Sequence, residues 1–416
     1  MDNLVEKLNS YENDYWDFTE YRDKKALIKY PGMMVAPMQE QLLKDIIEYD
    51  QGITSILDPF VGSGTVLTAG AALNLNTYGI DINPLAVLIS RVKLEGVPLV
   101  KIRESIAEIR TNITLLLGNT EPFEFININK WFREDVIIDL STIRKAIERE
   151  GNIRIRRFFW VCFADTIRKF SNTRSTTFKL HIKEEEKIKS MDNHCIQYFI
   201  TKISSLYMNY VKDSNSSKAN LFTGNSINIL EKFPDESIDL ICTSPPYGDN
   251  HTTITYGQYS ILPLLWIDLN DLDQFEVSLL NNLTAIDRVS LGGHNNMEEF
   301  EVKIEYEDLI QNISSEKAKK VRYFINDYYK VFFELTRILK KEKRLVLTLG
   351  NRRVDNQEFP FDVFNDRLAA KFGLKEEAVL TRNIQGKRMP AKVSKIANLG
   401  SVKSMSKEYI KIYRKY

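Results

Sequence analysis

Charge of either sign is nearly cancelled in this 416-residue sequence: the formal net charge is +1. That excludes a uniformly basic protein, so any contact with nucleic acid must come from a local patch. Cysteine is scarce. Cys162, Cys195 and Cys242 are spaced too widely for a disulfide framework or a metal-ligand pair, which fits a reducing, cytoplasmic compartment. His181, His194, His251 and His294 show no zinc spacing, so no metal is expected. No apolar run reaches the ~18 residues that span a bilayer, so no membrane partner is expected. Residues 1–20 are polar and acidic, unlike a secretory signal. There is no internal repeat. What is present is an ordinary apolar fraction, 43%, enough for a sizeable core in one large domain with insertions or in two domains.

After a polar opening arm, Tyr30-Pro31-Gly32 marks a turn and residues 38–50 have helical apolar spacing. Residues 53–57 predict a short strand that ends in Asp58-Pro59-Phe60-Val61-Gly62-Ser63-Gly64-Thr65. A small-residue helix follows over 66–73, and a second strand over 77–80 ends at Asp81. Asn83-Pro84 then opens another helix. Strand, glycine loop, helix, strand, acid is half of a doubly wound, Rossmann-like α/β sheet. The sheet pattern then lapses. Segment 96–215 has helical spacing and predicts a large, mainly helical insertion. Strand signals return at 221–226 and 238–242, a second polar insertion covers 268–320, and 344–350 and 409–413 predict late strands.

Gly62 and Gly64 stand where a chain turns sharply or lets a ligand touch its backbone. A dinucleotide fingerprint needs a third glycine where position 67 has Leu, and no lysine follows Gly64 as a Walker loop requires. Asp81, at the end of the second strand, is placed to accept bonds from ribose hydroxyls. A ribose site without a pyrophosphate signature points to S-adenosylmethionine. The competing reading is a tight structural turn with Asp81 as a helix cap.

The run Thr243-Ser244-Pro245-Pro246-Tyr247-Gly248-Asp249-Asn250 ends a strand in two prolines and an aromatic. A proline-stiffened loop with Tyr247 packed inward is one reading. In company with DPFVGSGT, however, TSPPYG resembles the amino-methylating DNA methyltransferases, and the serine form resembles chiefly the cytosine-N4 enzymes. The resemblance implies a Rossmann-like methyltransferase fold, S-adenosylmethionine as cofactor, duplex DNA as substrate and a restriction-modification role alongside a separate endonuclease. An exocyclic amino nitrogen shares its lone pair with the ring and is a poor nucleophile. Acceptors around its hydrogens free that pair: the Ser244 oxygen as one, and a carbonyl, that of Pro245, as the other. Prolines hold that carbonyl rigidly. Tyr247 offers a face for an extruded base to stack on, and Gly248 leaves it room. Cys242 reads as core.

The same resemblance implies that Tyr30, Asp58, Phe60, Gly62, Gly64, Thr65, Asp81, Asn83, Asn225 and Ser226 bind the cofactor, with Asn225 where an Asp is usual. Together with the strand and helix signals this gives a division into a cofactor half (1–95), the helical insertion (96–215), a catalytic half (216–267), the second insertion (268–320) and a return to the sheet (321–416), the two insertions lying outside the resemblance. The order, cofactor loop before catalytic loop, differs from the commonest cytosine-N4 arrangement, so adenine N6 stays open as the target. Guanine N2 of transfer RNA and a DNA-binding subunit with an unused cofactor fold are further alternatives. For DNA contact, Arg154, Arg156, Arg157, Arg168 and Arg174 concentrate charge in the first insertion, and Lys387 and Arg388 follow near the end. These either hold phosphates or form solvated, acid-balanced faces.

Overall fold

The computed structural model describes every residue except 1–2, 13, 20, 22–25, 213–218, 249–253, 294–305, 312, 355–356, 385–392, 397–399 and 403–406. Seven strands form one sheet: β1 (Ser55–Asp58), β2 (Asn76–Asp81), β3 (Asn220–Thr223), β4 (Ile238–Thr243), β5 (Leu339–Leu349), β6 (Leu374–Asn383) and β7 (Lys407–Lys415). Their spatial order is β3-β2-β1-β4-β5-β7-β6. The pairings from β3 to β5 are parallel, and β7 runs antiparallel to both β5 and β6.

Every residue of β1 and β4 is buried, as expected for inner strands covered on both faces. Alternation then divides them. Ile56 and Leu240 pack with helices α1 (Ala36–Tyr49) and α2 (Thr65–Ala72) on one face. Leu57 and Ile241 pack on the other face, against α9 (Ser315–Ile338) and α10 (Phe361–Lys371). Asp239 interrupts the apolar run of β4 and is satisfied in place: one oxygen receives the backbone and hydroxyl groups of Thr54 and Ser55, and the other meets Lys340 at 2.6 Å. Burial alone would raise its pKa, but these bonds hold it at about 2.

Six further helices build a third apolar body beside the sheet. It joins α3 (Pro84–Glu95), α4 (Leu99–Leu116), α5 (Glu134–Glu148), α6 (Ile153–Phe170), α7 (Cys195–Leu206) and α8 (Tyr256–Trp266). Phe158, Phe159, Trp160 and Phe163 of α6 lie at its centre, fully buried. Residues 268–293 pack against this body through Leu272, Leu279 and Ile286. Asp271 inserts into this body and accepts bonds from Arg156 and from the Trp160 indole at 2.6 Å. Asp287 caps α8 by accepting from the backbone of Gly257 and Gln258. β6, ending in Arg382 and Asn383, was not among the expected strands; its sequence LKEEAVLTRN is rich in polar residues.

Candidate functional site

The strand order turns back at β1, with β2 to one side and β4 to the other. Open α/β sheets bind ligands at such a switch point, beyond the carboxyl ends of the strands. A cleft lies there, walled by the turns after β1, β2, β3 and β4.

Asp81 organises the first two turns. Its Oδ2 accepts from the Gly62 N–H at 2.8 Å and its Oδ1 from the Asn83 N–H at 2.9 Å. Burial raises its pKa to about 6 against the pull of these backbone bonds. Each oxygen retains acceptor capacity toward the cleft. Gly62 is on the wall, and a Cβ there would meet nothing closer than 3.8 Å, so its backbone faces open space. Phe60, Thr65, Asn225 and Ser226 are wall residues too. Asn225 caps the short helix after β3, and Ser226 donates to the Pro59 carbonyl at 2.7 Å, clamping the turns after β1 and β3 together. Asn83 and Tyr30 share the wall: the Asn83 amide donates to Tyr30 Oη at 2.9 Å and to Ser260 Oγ at 2.7 Å.

Two residues expected at the cofactor stand behind the wall. Gly64 caps α2 with a φ of 77°, and a Cβ there would come within 2.7 Å of Ser90 Oγ. Asp58 is wholly buried; its Oδ1 accepts from the Phe60 N–H at 3.0 Å and from Thr243 Oγ1 at 2.6 Å. Burial lifts its pKa to about 7, those two bonds pulling it down. Asp58 therefore braces the glycine loop against β4.

The turn after β4 brings Ser244 and Pro246 to the same wall, while Pro245 is buried beneath. Ser244 Oγ donates to the Thr348 carbonyl of β5 at 3.1 Å and lies 3.3 Å from Tyr247 Oη. With its proton so directed, the serine presents lone pairs. Tyr247 is half-buried, and its hydroxyl reaches Glu408 of β7 at 3.3 Å. Burial, reinforced by the charge of Glu408, pushes this phenol well above its usual pKa. The space left by the absent side chain of Gly248 is taken by the Arg352 guanidinium and is not open for a base. His251 lies outside the described residues.

Other wall residues carried no signal that singled them out. Ser63 Oγ is buried on the wall with no hydrogen-bond partner among the described residues. Its place between two glycines of the loop could have flagged it. Tyr256, Ser290, Leu291 and Asp327 arrive from α8, from the segment before α9 and from α9 itself, with no motif around them.

The arginine cluster is turned inward. Arg154 bonds the carbonyls of Glu95 and Gly96, Arg156 the Asp271 carboxylate, and Arg157 the Asp271 carbonyl. Arg168 donates to the Tyr259 carbonyl and lies 3.6 Å over its ring. These four sit where α6 packs on its neighbours, and half-buried guanidinium groups need partners there. Their hydrogen bonds run to neighbouring elements of the protein. Arg174 is exposed and 3.7 Å from Glu184. Lys387 and Arg388 lie outside the described residues.

A Rossmann-like sheet whose glycine loop and proline loop meet in one cleft defines a methyltransferase architecture. A family model described as a DNA methylase, of the N6/N4 methyltransferase group, matches residues 3–91. The Type II methyltransferase M.MvaI of Kocuria varians is 31% identical over the whole chain and 97% of its own length. The Type II methyltransferase M.AvaI of Nostoc sp. is 24% identical over 85% of this chain and 79% of its own length. M.MjaII of Methanocaldococcus jannaschii is 31% identical over 23% of this chain and 18% of its own length. The chain belongs to the amino-methylating DNA methyltransferase family. The family's cofactor, S-adenosylmethionine, fits the wall: a carboxylate for a ribose, an open glycine backbone and a buried Ser63 hydroxyl without a partner among the described residues. No described helix is long and apolar enough to cross a membrane.

Proposed function

We propose that the protein methylates the exocyclic N4 of cytosine in duplex DNA, as the modification enzyme of a restriction-modification system. The observation that carries this is the shared wall: Ser244 and Pro246 line the same cleft as Gly62 and Asp81. Bound there, S-adenosylmethionine supplies an electrophilic methyl group. Asp81 would accept from the ribose hydroxyls, Asn225 and Ser226 would border the adenine, and Tyr30 would cover the methionine end. Ser244 accepts a hydrogen bond from the target amino group, and the Pro245 carbonyl accepts the other. The nitrogen lone pair is thereby withdrawn from the ring and made nucleophilic. Serine at the head of the tetrapeptide favours cytosine over adenine.

The test is incubation with duplex DNA and S-adenosylmethionine, followed by nuclease digestion and mass spectrometry of the nucleosides. N4-methyldeoxycytidine is expected; N6-methyldeoxyadenosine in its place would transfer the assignment to adenine. Ser244→Ala should lower turnover by about 100-fold or more, the scale of losing one transition-state hydrogen bond in a dry site. Its cofactor affinity by calorimetry should not change. Full turnover in that variant would remove Ser244 from the chemistry.

A further inference from the structure

Tyr247 Oη stands 3.3 Å from Ser244 Oγ and 3.3 Å from Glu408 Oε1. Both separations exceed the ~2.7–2.8 Å usual between hydroxyl and oxygen. One phenol proton thus has two acceptors at equal distance, and its choice decides what Ser244 offers the cleft. The serine's own proton is directed to Thr348, leaving two lone pairs. A phenol donating to Ser244 would occupy one of them. A phenol donating to Glu408 leaves both.

Glu408 is 7% exposed, and its Oε2 is paired with Arg382 Nη1 at 2.8 Å. As a carboxylate it only accepts. A hydrogen bond to a charged acceptor is roughly twice as strong as one to a neutral oxygen, so at equal distance the carboxylate takes the proton. Glu408 lies 161 residues from Tyr247 and reaches it only because β7 is inserted beside β5.

We propose that Glu408 is a positioning residue for methyl transfer: it draws the Tyr247 hydroxyl proton away from Ser244 and so keeps the serine oxygen free to accept the target amino hydrogen. This rests on the reading of Ser244 given above. Arg382 serves in turn by holding Glu408.

A double-mutant cycle tests it. Glu408→Gln keeps the shape but presents an amide that can donate to the phenol oxygen and turn its proton onto Ser244. Turnover should fall about tenfold, with the cofactor Kd and the KM for DNA unchanged within about twofold; that difference is the ~1.4 kcal/mol of one redirected hydrogen bond. In the Tyr247→Phe background the proton in question is gone, and Glu408→Gln should then cost less than about twofold. A penalty of equal size in both backgrounds would mean that Glu408 acts only through the fold, and no penalty in either would end the proposal. If Glu408→Gln does not fold, Glu408→Asp withdraws the carboxylate from the phenol by one methylene, and the same background dependence is expected. A silent Ser244→Ala would instead sink the underlying assignment, so the two failures are distinguishable.

Discussion

The loop after β1 and the loop after β4 meet in one cleft but are held in opposite ways. The first is secured largely from its own β1–β2 segment, where Gly62 is bound by Asp81, Asp81 by Asn83 and Phe60 by Asp58, with Ser226 and Thr243 adding one clamp each from farther along the chain. The second is secured from a distance. Thr348, Arg352 and Glu408, on or beside β5 and on β7, fix Ser244, Gly248 and Tyr247 across separations of up to 161 residues. A locally built loop can recognise a constant ligand with few residues. A loop built from the far end of the chain makes its geometry depend on the whole sheet, which suits a step that must wait for a correctly presented base.

The comparison breaks most visibly at Gly248. A valine there has to displace the Arg352 guanidinium packed over the glycine. Misplacing a reacting group by an ångström costs about 100-fold. Gly248→Val is therefore expected to lose about that much turnover in a methyl-incorporation assay, with cofactor affinity unchanged within about twofold. A matching loss of cofactor affinity would show that the two loops are not separately supported.

Asp81→Asn probes the local loop. Hydrogen bonds to a charged group contribute about 1.5–3 kcal/mol, so calorimetry should find the cofactor Kd raised by roughly 10- to 100-fold. Turnover at saturating cofactor should stay within about threefold. The wild-type response to acid should trace the same carboxylate. With the pKa of Asp81 raised to about 6 by burial, ionised acceptors are present above that pH and lost below it. The Kd should then climb below pH ~6 by at most tenfold per unit, and the climb should be absent in Asp81→Asn.

This contrast also separates what the sequence disclosed from what it concealed. Asp81, Asn83 and Gly62 were legible because the elements that hold them are consecutive, so spacing alone carries the geometry. Ser244 was legible from its motif. Glu408, Asp327 and Tyr256 were not, because what makes them significant is which strands and helices are neighbours in space, and no local pattern encodes that. The arginines of α6 show the reverse failure. A cluster of charge along the chain reads as a surface, yet Arg156 and Arg168 use their hydrogens to tie helices together inside the protein. The polar composition of 268–320 likewise gave no sign that Asp271 and Asp287 are buried acceptors.

The smallest expected effect falls on the side-chain bond from Thr243 of β4 to Asp58 of β1, which ties the two loops together. Thr243→Val removes it, and leaving a buried acceptor short of a partner costs about 1–3 kcal/mol. The sign of its pH dependence follows from linkage. Burial raises the folded pKa of Asp58 from 3.8 to about 7. Between those values the folded protein binds more protons than the unfolded chain, so stability falls as pH rises through that window and levels off above it. The Thr243 bond works against this rise, so its loss moves the folded pKa upward and extends the fall beyond pH ~7. Urea unfolding should accordingly find Thr243→Val less penalised at pH 5 than at pH 8. An equal penalty at both would mean that Asp58 is not the group through which Thr243 acts, and the two loops would then be coupled through the backbone of β1 and β4 alone.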